Sequence, residues 1–435
     1  MRLSSTTALA ALSALLVPSC LFGQFSQYTQ PGSLGSGAGE AVDREQMDQA
    51  IEDARWQAGP LRLEPWIGLR DLAWNDNPGG STEGDEGGGD VSAAVGAGLR
   101  GYLPTGRDVV WAVHALPEYL WYADDDARRR VNGRYGAGVF GFFNRLTLEA
   151  TARRTEKLAI LSVELPEQGN TREDVFAVAG DLELGFSTWV FVEAARNEVR
   201  NLLNREERAT GSPLDRLDRD EDRLRAGVRY RPRERWSVAA GVEWTETAVL
   251  SEERDLSSSG EAPAFELEYQ GPQLTASAAV ELRTLQPEGD SIFPETDETT
   301  ATLHLGLEGN RLSPAVWAQR TLSLALSEGY SHFATDLVGV GATLELGHRT
   351  DLRVFVETGR SEFTALSAEV PAREDDQIAF GGELGFTLGR SLRLRLGGHR
   401  SEFDSNLPEE DRSVTVLSTG VSLGFGRAEG GGGWP

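Results

Sequence analysis

Charged side chains that alternate with apolar ones are the residues of this chain best suited to chemistry. Along the segment 223–244, Arg225, Arg229 and Glu243 share one face of a period-two pattern, and mostly aliphatic and aromatic residues take the other face. A wall of acids and arginines selects ionic solutes when it lines a water-filled passage. The same residues could instead form a closed network of acid–arginine pairs, and the pattern leaves both interpretations open.

This alternation recurs along most of the chain and yields one set of candidate lining residues. The members are charged, and each falls opposite an apolar face of its own segment. They are Arg225, Arg229, Glu243, Glu268, Glu281, Arg283, Glu308, Glu345, Arg353, Glu357, Glu383, Arg393 and Arg395. A soluble hairpin would bury the apolar face in a core, whereas a membrane barrel turns it towards lipid and keeps the charges inside.

The histidines form no recognisable catalytic set. His114, His304, His332, His348 and His399 fall on different segments, without a nucleophile and an orienting group at a characteristic spacing. The sequence contains no phosphate-binding loop and no Cys/His set with zinc spacing. The acidic run 124–126 lacks the glycine-turned loop of a calcium site. We therefore expect neither enzymatic activity nor a cofactor or metal.

The charge balance and the first twenty residues indicate an exported protein. The chain has 435 residues and a formal net charge of −26, which disfavours nucleic-acid partners. A charged start and a short apolar core resemble a secretory signal. The single cysteine, Cys20, either becomes a lipidated first residue or is removed by cleavage near residues 23–24. Neither outcome permits an intramolecular disulfide.

Eighteen segments have the length and patterning of β-strands that cross a membrane. They cover residues 61–75, 91–104, 108–123, 129–143, 145–157, 173–186, 188–200, 222–232, 235–249, 263–270, 273–285, 299–309, 314–326, 336–347, 350–362, 376–389, 391–402 and 412–427. Segment 314–326 is the least regular, because Trp317 and Arg320 fall on unexpected faces, and this predicts either a bulge or a wrong strand assignment.

Eight short turns alternate with nine long polar loops between these segments. An antiparallel barrel in an outer membrane has short periplasmic turns and longer extracellular loops, so both termini are expected in the periplasm. Aromatic residues near the segment ends predict interfacial girdles. They are Trp66, Trp74, Tyr102, Trp121, Tyr122, Phe142, Phe186, Trp236, Trp244 and Tyr269.

Residues 40–59 read as one short helix ahead of the first strand. Asp43 and Gln46 have the spacing of a capping box, and Met47, Ile51 and Ala54 share one face. This helix could plug the barrel or dock in the periplasm. The favoured alternative is a leader that packs near the barrel mouth or stays mobile, because a lone helix this short is marginal.

The last predicted strand resembles the C-terminal signal that outer-membrane barrels present to the barrel-assembly machinery. Ser418, Gly420, Leu423 and Phe425 match its polar, glycine and hydrophobic positions, although a tail follows them. The segment 61–78 resembles the opening of porin-like barrels associated with exopolysaccharide systems. Together these features identify a resemblance to bacterial outer-membrane β-barrels.

The expected fold is all-β: a transmembrane antiparallel up-and-down β-barrel of about 18 strands, with a short N-terminal periplasmic helical segment. The expected divisions are a signal peptide (1–23), a flexible periplasmic segment (24–60), the barrel (61–427) and a tail (428–435).

The resemblance implies a bacterial outer-membrane location, with outer-membrane lipid and lipopolysaccharide as partners. It also implies a porin-like channel for small hydrophilic solutes or saccharides, with a small hydrophilic solute or a polysaccharide as a further partner. The alternative is a non-channel structural or accessory barrel of envelope or exopolysaccharide export. An outer-membrane hydrolase is a distant third.

Overall fold

The computed structural model describes residues 33–34, 44–54, 56–76, 89–160, 168–185, 187–202, 218–233, 235–250, 255–388 and 392–424. The predicted signal peptide (1–23), Cys20, Asp43, Phe186 and Phe425 lie outside them. One helix, α1 (Arg44–Asp53), precedes the barrel. The short strand Trp56–Ala58 then forms a hairpin with the first barrel strand. No helix in the described ranges is long and apolar enough to cross a membrane.

Eighteen antiparallel strands form the barrel, as predicted. They are β1 (Leu61–Asn75), β2 (Asp90–Thr105), β3 (Val109–Tyr122), β4 (Arg130–Phe142), β5 (Leu146–Ile160), β6 (Gln168–Gly185), β7 (Thr188–Asn201), β8 (Arg219–Arg233) and β9 (Trp236–Val249). The chain continues with β10 (Ser258–Gln270), β11 (Leu274–Pro287), β12 (Thr296–Leu307), β13 (Leu312–Leu324), β14 (Tyr330–Gly347), β15 (Thr350–Ala365), β16 (Arg373–Leu388), β17 (Leu392–Ser405) and β18 (Arg412–Gly424).

Each strand pairs with its neighbour in sequence, and β18 pairs with β1 to close the ring. The connections at one end are short, such as 106–108 and 348–349, and those at the other end are longer, such as 202–218 and 288–295. Gly106 takes a φ of 71° in the first short turn, a left-handed conformation that favours glycine. Because the strand number is even, the start of β1 and the end of β18 lie at the short-turn end.

The outer face of the barrel is apolar and exposed. Leucines, valines and aromatics stand on it at every second position, among them Val95, Val178, Val228, Leu303, Val340, Val356 and Leu396. A closed sheet satisfies every backbone hydrogen bond internally, so it can present such a surface to hydrocarbon. The architecture is that of a transmembrane antiparallel β-barrel, as the alternation predicts.

The aromatic girdle prediction is right for some residues and wrong for others. Trp121, Trp236 and Trp244 lie exposed on the outer face. Tyr102 and Phe142 instead point inwards and are buried. Their register places them on the lumenal face, where they meet α1 rather than lipid.

The irregularity expected in segment 314–326 is absent. β13 pairs with β14 in unbroken register from Leu312 to Leu324. Trp317 points inwards over Gly339, and a side chain on Gly339 would clash with the indole ring. Arg320 points outwards and forms an ion pair with Asp336 at 2.5 Å. Contacts with Gly339 and Asp336 therefore account for the directions of these two side chains, and no β-bulge is needed.

The strands at the long-loop end extend further than the sequence predicts. Residues Tyr330–Thr335 of β14 are buried on both faces. Phe333 stacks on Phe363 with the ring centroids 4.7 Å apart, and Arg373 lies 4.5 Å above the ring of Phe363. A second cluster joins Leu256, Leu285, Phe293, Leu322, Leu324 and Ala334. We call these two clusters together the loop-end core.

One seam in the wall is shorter than the others. β12 and β13 pair only from Ala301–Arg320 to Gly306–Ala315, although both strands continue towards the long loops. Beyond Arg320, the edge of β13 that faces β12 pairs instead with the two-residue strand Ser33–Leu34. Arg320 also bridges the divergence by an ion pair with Glu298 at 3.3 Å.

Candidate functional site

The inner face of the barrel is defined by its register with the lipid-facing residues. Leu224 and Trp244 are directly opposite on β8 and β9, and they are 44% and 43% exposed on the outer face. Arg225 and Glu243 form the adjacent pair, so they point to the other side of the sheet. By the same parity, twelve of the thirteen predicted lining residues lie on the inner side of their strands, and Glu308 follows the last residue of β12.

The largest group of inner-face charges lies across β6 to β11. Arg283 is fully buried, and its guanidinium donates to Glu243 at 2.9 Å and to Glu281 at 2.8 Å. Arg225 on β8 pairs with Glu266 on β10, so this contact skips one strand. Contacts between next-nearest strands are possible because long side chains converge on the inside of a curved sheet. The group therefore forms one continuous ionic surface.

The same surface continues through Arg223 and Arg229. Arg223 donates to Glu193 at 3.0 Å, and Arg229 lies 3.7 Å from Asp181. The guanidinium groups of Arg225 and Arg229 also lie over the ring of Phe191, at 5.5 and 5.3 Å from its centroid. Cation–π contacts of this kind hold arginine side chains against the wall.

A second group of predicted residues lies across β15 to β17. Asp351 accepts a hydrogen bond from Arg393 at 3.0 Å and lies 3.2 Å from Arg353. Arg353 is also 3.8 Å from Glu383. Arg395 lies beside Gly420, where an added Cβ would be 3.3 Å from its guanidinium. Acids and arginines are thus paired here as they are across β6 to β11.

The remaining predicted residues are outside these two groups. Glu357 is hydrogen-bonded by Trp317 from two strands away. Glu268 accepts a hydrogen bond from Gln270 of the same strand. Glu308 and Glu345 lie at the short-turn ends of β12 and β14, where the wall ends. The thirteen residues therefore do not converge on a single point but line the wall at several heights.

The sequence prediction missed Arg100 and Arg134, two members of a basic row on β2 to β5. Arg100 is opposite His114, His114 is opposite Gly136, and Gly136 is opposite Arg153. Arg134 also interacts electrostatically with His114. Gly136 makes room for the imidazole, since an added Cβ would lie 2.5 Å from its Cε1. The alternation of Arg100 with Leu99 and Arg134 with Tyr135 could have identified these residues.

Helix α1 lies inside the barrel at the short-turn end. Met47 is wholly buried, and with Ala54 it packs against inward-pointing residues of β2 to β4. These are Tyr102, Val110, Ala112, Phe140 and Phe142. Arg44 donates to the carbonyl oxygen of Arg107 in the first short turn at 3.0 Å. We call this arrangement the mouth cluster.

The opposite face of α1 is exposed and acidic. Glu45, Asp48, Glu52 and Asp53 lie on it, and the only basic residue of the helix, Arg44, is 3.5 Å from Asp48. The prediction that Met47, Ile51 and Ala54 share a face is confirmed. The predicted helix is shortened, however, because residues 56–58 pair with β1 instead of continuing the helix.

The histidines show no catalytic arrangement in the described part of the chain. Ser331 Oγ lies 2.9 Å from His332 Nδ1, but both side chains are buried in the loop-end core. The His332 ring faces Phe293, with centroids 5.4 Å apart, so no carboxylate orients it on that side. Among the described residues, no group of three or more His, Cys, Asp or Glu side chains could hold a metal ion.

The proposed assembly signal lies at the closing seam. Ser418 and Gly420 are on β18, and the register with β1 shifts between Thr419 and Val421. Leu423 pairs with Ile67 in the same seam.

No protein-family profile matches this sequence, and no curated protein matches it. Among solved structures, OccK9 (OpdG) of Pseudomonas aeruginosa is similar with a TM-score of 0.50 and 13% sequence identity, covering 83% of this chain and 98% of that chain. OpdK of Pseudomonas aeruginosa with vanillate gives a TM-score of 0.49 at 13% identity, over 83% of this chain and 98% of that chain. A BenF-like porin from Pseudomonas fluorescens Pf-5 gives 0.49 at 11% identity, over the same shares. The similarity to OccK9 shows that this chain shares the barrel fold of that protein.

Proposed function

We propose that this protein is an outer-membrane channel for small hydrophilic solutes or saccharides, and that it is not an enzyme. The observation that carries the proposal is the contrast between the two faces of one wall. The outer face is apolar and exposed, and the inner face carries ionic groups on strands all around the ring. Barrels of this strand number enclose an aqueous channel when their inner face is polar.

Because the acids and arginines of the inner face are paired, the wall suits hydrophilic solutes of either charge. Acids and arginines alternate in contact, so a solute can exchange one ionic or hydrogen-bonding partner for the next along the wall. We place both termini in the periplasm, because the short turns and both ends of the barrel lie at the same end. We further propose that the last strand is read by the barrel-assembly machinery.

Conductance in a planar lipid bilayer tests the channel. Purified wild-type protein should give stepwise currents, and Arg225→Gln, which removes one positive charge from the inner face, should raise the ratio of cation to anion permeability. The matched control is Arg360→Gln, which removes an arginine from the outer face of β15. Fully inserted protein that remains electrically silent would exclude the channel.

A non-channel accessory barrel of envelope or exopolysaccharide export is the second candidate. The mouth cluster favours it, because α1 occupies part of the opening at the short-turn end. This candidate predicts silence in the bilayer experiment and a stable protein partner after crosslinking in cells.

A further inference from the structure

A groove crosses the outer face of the barrel between β3 and β11. It has a volume of about 1170 Å³. Its floor is made by short outward side chains, namely Ala137, Ala150, Ala152 and Ala194, and its flanks carry the exposed indoles of Trp111 and Trp244. Elsewhere the outer face carries larger aliphatic side chains, such as Val338 and Val340 on β14. The groove therefore follows from the small volume of these alanines.

The register shows that the groove has a direction. One row of directly opposite residues runs through Val113, Ala137, Ala152, Phe176, Arg196, Asp222 and Glu246. The row begins near the short-turn end of β3 and ends near the long-loop end of β9, because the strands are tilted. The groove thus rises across the wall from the short-turn side towards the long-loop side.

Polarity changes once along this row. The four residues at the lower end are apolar, and the three at the upper end are charged. Arg196 donates to Glu198 at 3.1 Å, to Asp220 at 2.9 Å and to Asp222 at 3.3 Å. The occupant that matches this surface has an apolar body and an ionic head, in the orientation of a lipid of the leaflet on the long-loop side.

The ionic end is suited to a phosphorylated head that binds together with divalent cations, because carboxylates outnumber arginines there. Arg200 and Arg154 lie on the same outward face as Arg196 and pair with Asp220 at 2.5 Å and Asp174 at 2.6 Å. Arginine binds phosphate by charge and by its forked donors. The carboxylates beside these arginines would be neutralised by divalent cations, which prefer oxygen ligands.

We propose that this groove binds one molecule of a lipid A-type phosphorylated glycolipid, with its acyl chains on the alanine floor and its phosphate at Arg196. The lining residues of the groove come from nine neighbouring strands, β3 to β11, which favours a lipid with several chains. The inference rests on the outer-membrane orientation in the proposed function, because the long-loop side must face the glycolipid leaflet.

Native mass spectrometry of delipidated protein in detergent tests the proposal, with diphosphoryl lipid A added in the presence of Mg²⁺. Wild-type protein should retain one lipid A molecule. Ala152→Trp, which fills the groove, should weaken binding by about tenfold or more. The matched control is Ala342→Trp on the outer face of β14, which should bind as the wild type does.

Charge is tested separately, so a variant that fails to fold does not decide the result. Arg196→Gln should weaken lipid A binding by about fivefold. Arg360→Gln, an exposed outward arginine paired with Asp376 outside the groove, should leave it unchanged. Chelation of Mg²⁺ with EDTA should weaken wild-type binding.

Three outcomes would overturn the proposal. They are equal binding by Ala152→Trp and wild type, equal binding of phosphatidylglycerol and lipid A, and a loss of subunit association in Ala152→Trp, which would make the groove a contact between copies. A barrel that binds lipid A but conducts no current would contradict the channel and leave this inference standing.

Discussion

Clusters of buried apolar side chains lie at both ends of the barrel, but the side chains are held in different ways. In the loop-end core, Phe333 and Phe363 are on neighbouring strands of the ladder, so backbone hydrogen bonds hold them in place. In the mouth cluster, Met47 belongs to a separate helix that reaches the wall through side chains and one hydrogen bond from Arg44. An element held only by side chains can leave without unfolding the wall.

The largest expected effect is a loss of stability at the loop-end core. Phe333→Ala should lower the free energy of unfolding by about 3–5 kcal/mol, because it removes a fully buried ring and leaves a cavity. Denaturant-induced unfolding followed by tryptophan fluorescence measures the change. The control is Phe380→Ala, which removes an exposed ring from the outer face of β16. If both variants lowered the free energy of unfolding equally, the loop-end core would not stabilise the barrel more than the outer face does.

A smaller effect on overall stability is expected at the mouth cluster. Met47→Ala should weaken the docking of α1 by about 2–5 kcal/mol, while the barrel itself stays folded. Limited proteolysis should cut α1 faster, and the conductance should rise as the opening clears.

Gln49→Ala is the control for this variant, because Gln49 is on the exposed face of α1. If Met47→Ala lowered the unfolding transition of the barrel as much as Phe333→Ala does, the two ends would not differ in the way proposed.

The smallest expected effect is a pH dependence confined to the loop-end core. His332 lies in the doubly buried part of β14, beyond the lipid-facing residues. Burial lowers its pKa from 6.5 to about 4. The unfolded chain therefore takes up the proton first as the pH falls. The stabilisation by neutral His332 is complete above about pH 6.5 and is lost as the pH falls towards about 4.

Stability measured between these pH values should show a slope that His332→Phe removes. His348→Phe is the control, since His348 is exposed in a short turn. A slope that survives in His332→Phe would assign the pH dependence to other groups.

The wall could be predicted from the sequence because a period of two is imposed by the sheet itself. Charged residues such as Arg225 and Glu243 alternate with lipid-facing residues. The number of strands, their directions and the face on which each side chain lies could therefore be predicted. The extension of β14 could not be predicted in this way. Residues 330–335 are buried on both faces, which removes the alternation that reveals a strand.

A leader that packs near the barrel mouth was part of the favoured alternative, but the residues that α1 contacts there were beyond the sequence. The apolar face of α1 could be predicted, but the residues that it contacts could not. Tyr102 and Phe142 are aromatic and lie near strand ends, as residues of an interfacial girdle do. Only the register shows that they point inwards. The alternation of charged and apolar residues could have predicted Arg100 and Arg134, but they were missed.

The short pairing between β12 and β13 has a mechanical consequence. The ring contains two long uninterrupted arcs, β1 to β12 and β13 to β18, which meet at this seam and at the closing pair β18–β1. Force applied across the wall should divide it first where the fewest hydrogen bonds must break. The barrel would then separate into two curved sheets, β1 to β12 and β13 to β18, rather than unfold strand by strand.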